Sequence, residues 1–436
     1  MPDKLQPQGS DSGDRQPEEH PDLPRRKALK QGLGLLGGTL LLSGEAGAQL
    51  VSGTAPEADS TRVLGAPPTA TGGRSPHEVL ERLVPFPSPA GVSQTPLEKL
   101  HGILTPSDLH FERHHAGIPE IDPDTYELLV HGMVERPLKF TLAELKRLPA
   151  ASRICFIECS GNGNRAAQLP EEIPTEITPG QLDGLFSVSE WTGVKLATIL
   201  REVGVRPGAS WFLAEGQDAA VMTRSIPLLP QVMEEAMLAY AQNGEALRPA
   251  QGYPVRLLLP GWEGNTHIKW LRRIKLADAP FMTREETAKY TDAMADGRIV
   301  MFTMQMAPKS LITSPSHPMV LPGPGWHEIR GLAWSGAGKI RAVEISVDGG
   351  QIWSEARLEG PVLDKCATCF RSVWDWDGRE AILMSRATDE HGRQQQFYTE
   401  AEKDRGPGTF YHNSGIRAWK VDAEGRVSFG LRDLLA

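Results

Sequence analysis

Cys159 stands in the stretch FIECSGNGN, residues 156–164, where an apolar run gives way to a turn of glycine and asparagine. A cysteine at such a junction has two readings. It can be a small buried hydrophobe, as free cysteines usually are. Cys155, four positions earlier on the same strand face, invites that reading for both. It can instead be a thiolate presented at a strand end, with Gly161 and Gly163 leaving room for a bulky ligand beside the backbone. Soft thiolates select soft or high-valent metals. The other cysteine pair, Cys366 and Cys369 in CATCF, has the spacing of a c-type haem site, but Phe370 follows where histidine is required. No second pair lies near it for zinc. It reads as an oxidisable thiol pair or as two packed cysteines, without a catalytic role.

The element that must carry Cys159 is RICFIECS, a short apolar strand, and YPVRLLLPG reads as a second buried strand. YELLVHGMV alternates as a strand does, and TLAELKRL opens on a Thr cap with leucines at helical spacing. LATILREVGV and VMEEAMLAYAQNG read as short amphipathic helices, each stopped by glycine. This mixture runs from about residue 76 to 295. Beyond residue 300 the pattern changes. KIRAVEISVDGGQIW sets Val343, Ile345 and Val347 against Glu344 and Ser346, then turns at Asp348-Gly349-Gly350, a hairpin signal. FRSVWDWDG repeats it, with Trp374 and Trp376 on one face and a second Asp-Gly turn. Short strands without convincing helices predict an antiparallel β-sandwich over 300–420, roughly 110 residues.

A chain of 436 residues exceeds the size at which one core stops growing, so two domains are expected. A formal charge of −9 excludes the basic face of a nucleic-acid binder. The N-terminus, LPRRKALKQGLGLLGGTLLLSGEAGA, places Arg25 and Arg26 before a mildly apolar run that ends in Ala46-Gly47-Ala48. The run is too short to span a bilayer. Residues 1–48 read as a twin-arginine export signal, with Pro24 and Ala28 departing from the usual hydroxyl and Phe. Residues 49–75 are rich in Gly, Pro, Ser, Thr and Ala and read as a linker. A periplasmic protein with no membrane span in the mature chain follows.

Four motifs in order, FERHHAGIPEIDPDTYELLVHGMV, ECSGN, QGYPVRLLLPGWEGNTHIKWLRRIKL and GLAWSGAGKIRAVEISVDGGQIW, are similar in sequence and spacing to the sulfite oxidase family of molybdopterin enzymes. The likeness covers roughly residues 100 to 420. Within that family, RHHAGIP, CSGN and MTREETAKYTD resemble the catalytic subunits of sulfane dehydrogenases. The resemblance implies an α+β fold: a sulfite-oxidase-like molybdopterin domain over 76–295, then an immunoglobulin-like β-sandwich dimerisation domain over 300–420. It implies a molybdenum-molybdopterin cofactor with Cys159 as the protein's ligand to the metal. Phe111, Glu112, Arg113, His114 and His115 match the segment around the pterin and the substrate face of the metal. Arg113 corresponds to the arginine that orients an anionic substrate, a role suited to a guanidinium. Asp218, Gln251, Arg256, His267, Ile268 and Lys269 fall on the remaining cofactor contacts, and Tyr290 on the active-site tyrosine.

Two departures bear on the substrate. Sulfite-oxidising relatives typically follow their cysteine with Ala-Gly-Asn-Arg-Arg, whereas Ser160-Gly161-Asn162-Gly163-Asn164 follows here, with Arg165 close behind. Gln251 stands where they often have histidine. Fewer cations suit a sulfur substrate larger and less charged than sulfite. The resemblance therefore implies oxygen transfer to the terminal sulfur of a persulfide held on a carrier protein. Free sulfite as substrate and a non-catalytic scaffold of the same fold remain the alternatives. The sequence holds no haem, flavin or nicotinamide motif, so the expected electron acceptor is a separate c-type cytochrome, and the expected assembly a homodimer.

Overall fold

The computed structural model describes residue 62 and residues 64–166, 172–405 and 410–435. The expected export signal and most of the expected linker lie outside these residues. Residues 74–436 form one compact unit, and everything below lies in it.

Two sheets make the part that carries Cys159. In the first, Glu127–Gly132 lies between Leu138–Thr141 and Leu271–Ala277, and Trp211–Gly216 and Thr223–Pro227 complete it. The pairing of Glu127–Gly132 with Leu271–Ala277 is parallel and the rest antiparallel. Alternation is the cause: Leu128 and Val130 are fully buried, while their neighbours are partly or fully exposed. The helix Leu142–Arg147 starts where the sequence predicts, through a capping box in which Glu144 N–H donates to Thr141 Oγ1 at 3.2 Å and Thr141 N–H to Glu144 Oε2 at 2.9 Å. In the second sheet the strand Ala150–Glu158 pairs with Phe186–Lys195, which pairs with Met237–Gln242. The strand ends one residue before Cys159.

Lys309–Ser314, Gly325–Trp334, Thr368–Trp376 and Arg357–Glu359 form one antiparallel sheet of the C-terminal part. Ser354–Glu355, Ile340–Ser346, Ala381–Asp389, Ala418–Val421 and Val427–Phe429 form the other, which runs past residue 420. Among the described residues no helix is long and apolar enough to cross a membrane.

Three expectations need correction. VMEEAMLAYAQNG is not one helix: Pro230–Glu235 is a short helix, and Met237–Gln242 is a strand. The strand pairs on both sides, with Phe186–Lys195 and Arg256–Leu258, and those backbone bonds override helical spacing. YPVRLLLPG contributes only Arg256–Leu258 as strand. The second Asp-Gly turn joins no hairpin, because Thr368–Trp376 and Ala381–Asp389 belong to different sheets. The Asp348-Gly349-Gly350 turn does join paired strands.

One apolar core runs from the catalytic part into the sandwich. Phe156, Phe186 and Val188 share it with Trp334, Ile345 and Trp419. Phe186 and Trp334 stack with ring centroids 4.0 Å apart.

Candidate active site

The turn after Ala150–Glu158 is held by hydrogen bonds on every side. Cys159 N–H donates to the Leu185 carbonyl at 2.9 Å, and the Cys159 carbonyl accepts from Asn162 N–H at 2.9 Å. Asn162 braces the bend: its Nδ2 donates to Glu158 Oε1 at 3.0 Å and its Oδ1 accepts from Leu185 N–H at 2.9 Å. Gly264 crosses so close that a Cβ there would lie 2.8 Å from the Glu158 carbonyl and 3.2 Å from Cys159 Cα. Burial pushes the Cys159 thiol above its usual pKa, while the Gly161 N–H and Arg113 favour the thiolate. Coordination to a metal would displace the proton outright.

Twelve of the thirteen sequence-predicted residues line one cavity of about 680 Å³ including its open mouth: Phe111, Arg113, His114, His115, Cys159, Asp218, Gln251, Arg256, His267, Ile268, Lys269 and Tyr290. Glu112 does not line it. Its carboxylate ion-pairs with Arg82 and accepts a hydrogen bond from His114 Nε2–H at 3.0 Å. Burial raises its pKa, but the bonds from His114 and Arg82 outweigh that and hold it at about 2. Glu112 therefore stands behind the wall and orients His114. On the opposite edge of that ring, Lys269 Nζ donates to His114 Nδ1 at 2.9 Å, and also to the carbonyls of Ala250 at 3.0 Å and Arg113 at 3.3 Å. With a Lys269 N–H given to Nδ1 and the Glu112 carboxylate on Nε2, His114 is held as the neutral Nε2–H tautomer.

One end of the cavity is a crowd of buried donors. Arg256 Nη1 donates to the Gln251 carbonyl at 3.1 Å and Nη2 to the His267 carbonyl at 3.2 Å, with the guanidinium 4.9 Å from the Trp191 ring centroid. Gln251 Nε2 donates to the Phe111 carbonyl at 3.0 Å. Gly252, at φ +105°, lets this turn pack against Lys269, whose Cα would lie 3.0 Å from any Cβ. Burial, helped by Arg256, brings Lys269 well below its usual range and His267 down to about 3. Burial also brings His110 down to about 3 and Arg256 to about 9. Among the described residues, Arg256 Nε and His110 Nε2 are buried with no partner. This crowd of buried nitrogen donors is an environment that an anionic phosphate tail satisfies. Asp218, whose Oδ1 accepts from Met222 N–H at 3.0 Å, supplies an acceptor for a heterocycle's N–H groups. The residues present fit a molybdopterin.

At the other end, Cys159 faces Arg113, His115 and Tyr290. His115 Nε2 and the Tyr290 hydroxyl are 2.9 Å apart. Burial and Arg113 lower His115 to about 4, and burial raises Tyr290 above the usual phenol range. The pair is therefore uncharged at neutral pH and shares one proton across the bond.

Sequence reasoning missed six lining residues: His110, Ile157, Met222, Gly264, Asn265 and Trp270. Ile157, Gly264, Asn265 and Trp270 lie within quoted motifs and His110 adjoins one, but nothing in their own spacing marks them. Asn265 Nδ2 donates to Ser160 Oγ at 3.0 Å, tying the turn after Cys159 to the facing loop.

With this geometry in hand, comparison decides the family. Residues 115–285 match the oxidoreductase molybdopterin-binding domain and residues 300–395 the Mo-co oxidoreductase dimerisation domain. The solved sulfane dehydrogenase SoxCD of Paracoccus pantotrophus is 39% identical, with a TM-score of 0.77, over 85% of this chain and 97% of that one. The chain belongs to the sulfite oxidase family of molybdopterin oxidoreductases. Its cofactor is molybdenum-molybdopterin. Other relatives of this molybdopterin enzyme are nitrate reductases. That of Hordeum vulgare is 31% identical over 65% of this chain and 35% of its own length, and that of Solanum lycopersicum 29% over 65% and 34%. The chain spans about a third of the length of these relatives.

Proposed function

We propose that this oxidoreductase oxidises sulfane sulfur, presented as a persulfide on a carrier protein, and passes the electrons to a c-type cytochrome in the periplasm. Cys159 is the thiolate ligand of molybdenum in this reading, and Arg113 and Tyr290 face the substrate. The dimerisation domain supports a homodimer through the C-terminal sheets. The bound cofactor supplies oxygen-atom transfer and accepts the two electrons. The chain's own residues do the rest. Arg113 holds the developing negative charge, the His115–Tyr290 pair holds a proton at the substrate face, and burial keeps bulk water from the thiolate.

One observation favours a sulfane over free sulfite: the turn after Cys159 brings no cation to the cavity. Ser160 and Asn162 are buried and spend their side chains on Asn265, Glu158 and Leu185. Arg165 is not among the lining residues. A small dianion would draw on more positive charge than Arg113 alone gives at that end.

The test is an anaerobic titration of molybdenum-loaded protein, following the thiolate-to-molybdenum absorption band. Bleaching by a persulfide-loaded carrier protein, with no response to sulfite, supports the reading. Rapid bleaching by sulfite alone replaces it with a sulfite dehydrogenase.

A further inference from the structure

The C-terminal part sends one segment back to the turn that follows Cys159. His412 N–H donates to the Ser160 carbonyl at 2.7 Å, and His412 Nε2 lies 3.3 Å from Glu263 Oε2. Phe410 covers Gly161 so closely that a Cβ there would meet its ring at 3.0 Å. The segment is thus fastened on both sides of Tyr411 to the turn that follows Cys159. The Tyr411 ring centroid lies 5.4 Å from that of Tyr290, tilted by 44°, and Phe410 stands nearly perpendicular to Tyr411 at 5.0 Å. Tyr290 is also met by the Arg224 guanidinium, 5.2 Å from its ring centroid, and by His115 at its hydroxyl. Arg224 is itself immobile, fully buried and paired with Glu263 at 3.2 Å and Glu286 at 3.1 Å.

We propose that Tyr411 is a positioning residue: its ring holds the Tyr290 ring so that the hydroxyl stays on His115 and faces the substrate. This rests on the role given to Tyr290 above. A phenol ring turns about two torsions, and the hydrogen bond to His115 restrains only its far end. Arg224 restrains one part of the ring, and the ring of Tyr411 restrains another. The contact with Tyr290 is ring against ring. An offset or tilted aromatic pair of this kind sustains a change of about threefold to tenfold in an equilibrium or rate. Phe410, 56% exposed, packs on the outer side of Tyr411. The Tyr290 ring is therefore backed by a segment that lies more than 100 residues beyond the molybdopterin-binding match in the chain, roughly the size of a whole domain.

The experiment is a mutant cycle on the full, molybdenum-loaded chain with the reductant that bleaches it, together with fluorine NMR of cofactor-free protein carrying 3-fluorotyrosine at position 290. Tyr411→Ala is expected to lower kcat/KM about threefold to tenfold, and Tyr411→Phe to keep it. In a Tyr290→Phe background Tyr411→Ala should cost nothing further. The fluorine resonance should move in Tyr411→Ala and stay in Tyr411→Phe. Losses that multiply in the double variant, or a Tyr411→Phe enzyme as poor as Tyr411→Ala, overturn the proposal. Full turnover by Tyr290→Phe would sink the role of Tyr290 itself. The resonance then still decides the contact, and an unmoved signal in Tyr411→Ala ends the proposal.

Discussion

Trp334, on a strand of the C-terminal sandwich, donates its indole N–H to Glu158 Oε2 at 2.7 Å, one residue before Cys159. The same carboxylate accepts from Lys309 Nζ at 3.2 Å, Lys309 pairs with Asp183, and Asp183 accepts from Arg417 Nε at 3.0 Å. All five residues are buried. Trp334→Phe leaves one oxygen of a buried carboxylate without its donor and is expected to cost about 1.5–3 kcal/mol. Urea denaturation would measure it, with molybdenum content of the purified protein as second readout. An unchanged midpoint would mean the indole bond contributes nothing.

Cys159→Ser should abolish the thiolate-to-metal absorption band and turnover while leaving the unfolding free energy of the cofactor-free protein within about 1 kcal/mol of the parent. The cysteine packs at the margin of its apolar cluster, so serine opens no large void. A variant that kept full turnover would show that sulfur from Cys159 is not a ligand.

Lys269→Met removes the ammonium that anchors His114 and faces the donor-rich end. A charge-assisted hydrogen bond is worth about 1.5–3 kcal/mol, so cofactor affinity should fall roughly tenfold to a hundredfold. Metal analysis and phosphate content after dialysis report it. Retention at parental levels would place the cofactor's anion elsewhere.

Acid sensitivity should depend on the cofactor. His110 and His267 are held at about 3 by burial, against about 6.5 for an unfolded histidine. Between those values the unfolded chain binds more protons than the folded one. Stability is therefore fully present above about pH 6.5 and falls as pH drops, by at most about 1.4 kcal/mol per pH unit for each histidine. A bound phosphate raises the folded-state values and flattens the slope. Thermal midpoints of cofactor-free and loaded protein at pH 7 and pH 5 should diverge, the cofactor-free form losing more. Parallel slopes would remove the anion from beside these rings.

Much of the site was legible because the cavity is built from strand ends and tight turns, where motif order survives in the sequence. Cys159, Gln251, Arg256, His267 and Lys269 all lie within two such stretches, and the structure brings them together. Glu112 stands behind the cavity wall, and adjacency in FERHH says nothing about which side chain turns back to Arg82. Tyr411 could not be read at all, since its partner Tyr290 lies far away in sequence and Tyr411 itself falls in no motif. Among the elements, Asp348-Gly349-Gly350 showed its hairpin because both strands it joins pair with each other. The Asp-Gly after Trp376 did not, because its two strands enter opposite layers, a choice made by sheet packing and not by the turn.

The stack of Phe186 on Trp334 means that the border near residue 300 is no boundary of inheritance. Recombination between homologues at that point would split one interior between two ancestries, each half arriving with side chains shaped for an absent mate. Exchanges that preserve folding must carry Phe156, Phe186, Trp334 and the Glu158–Lys309 pair as one block.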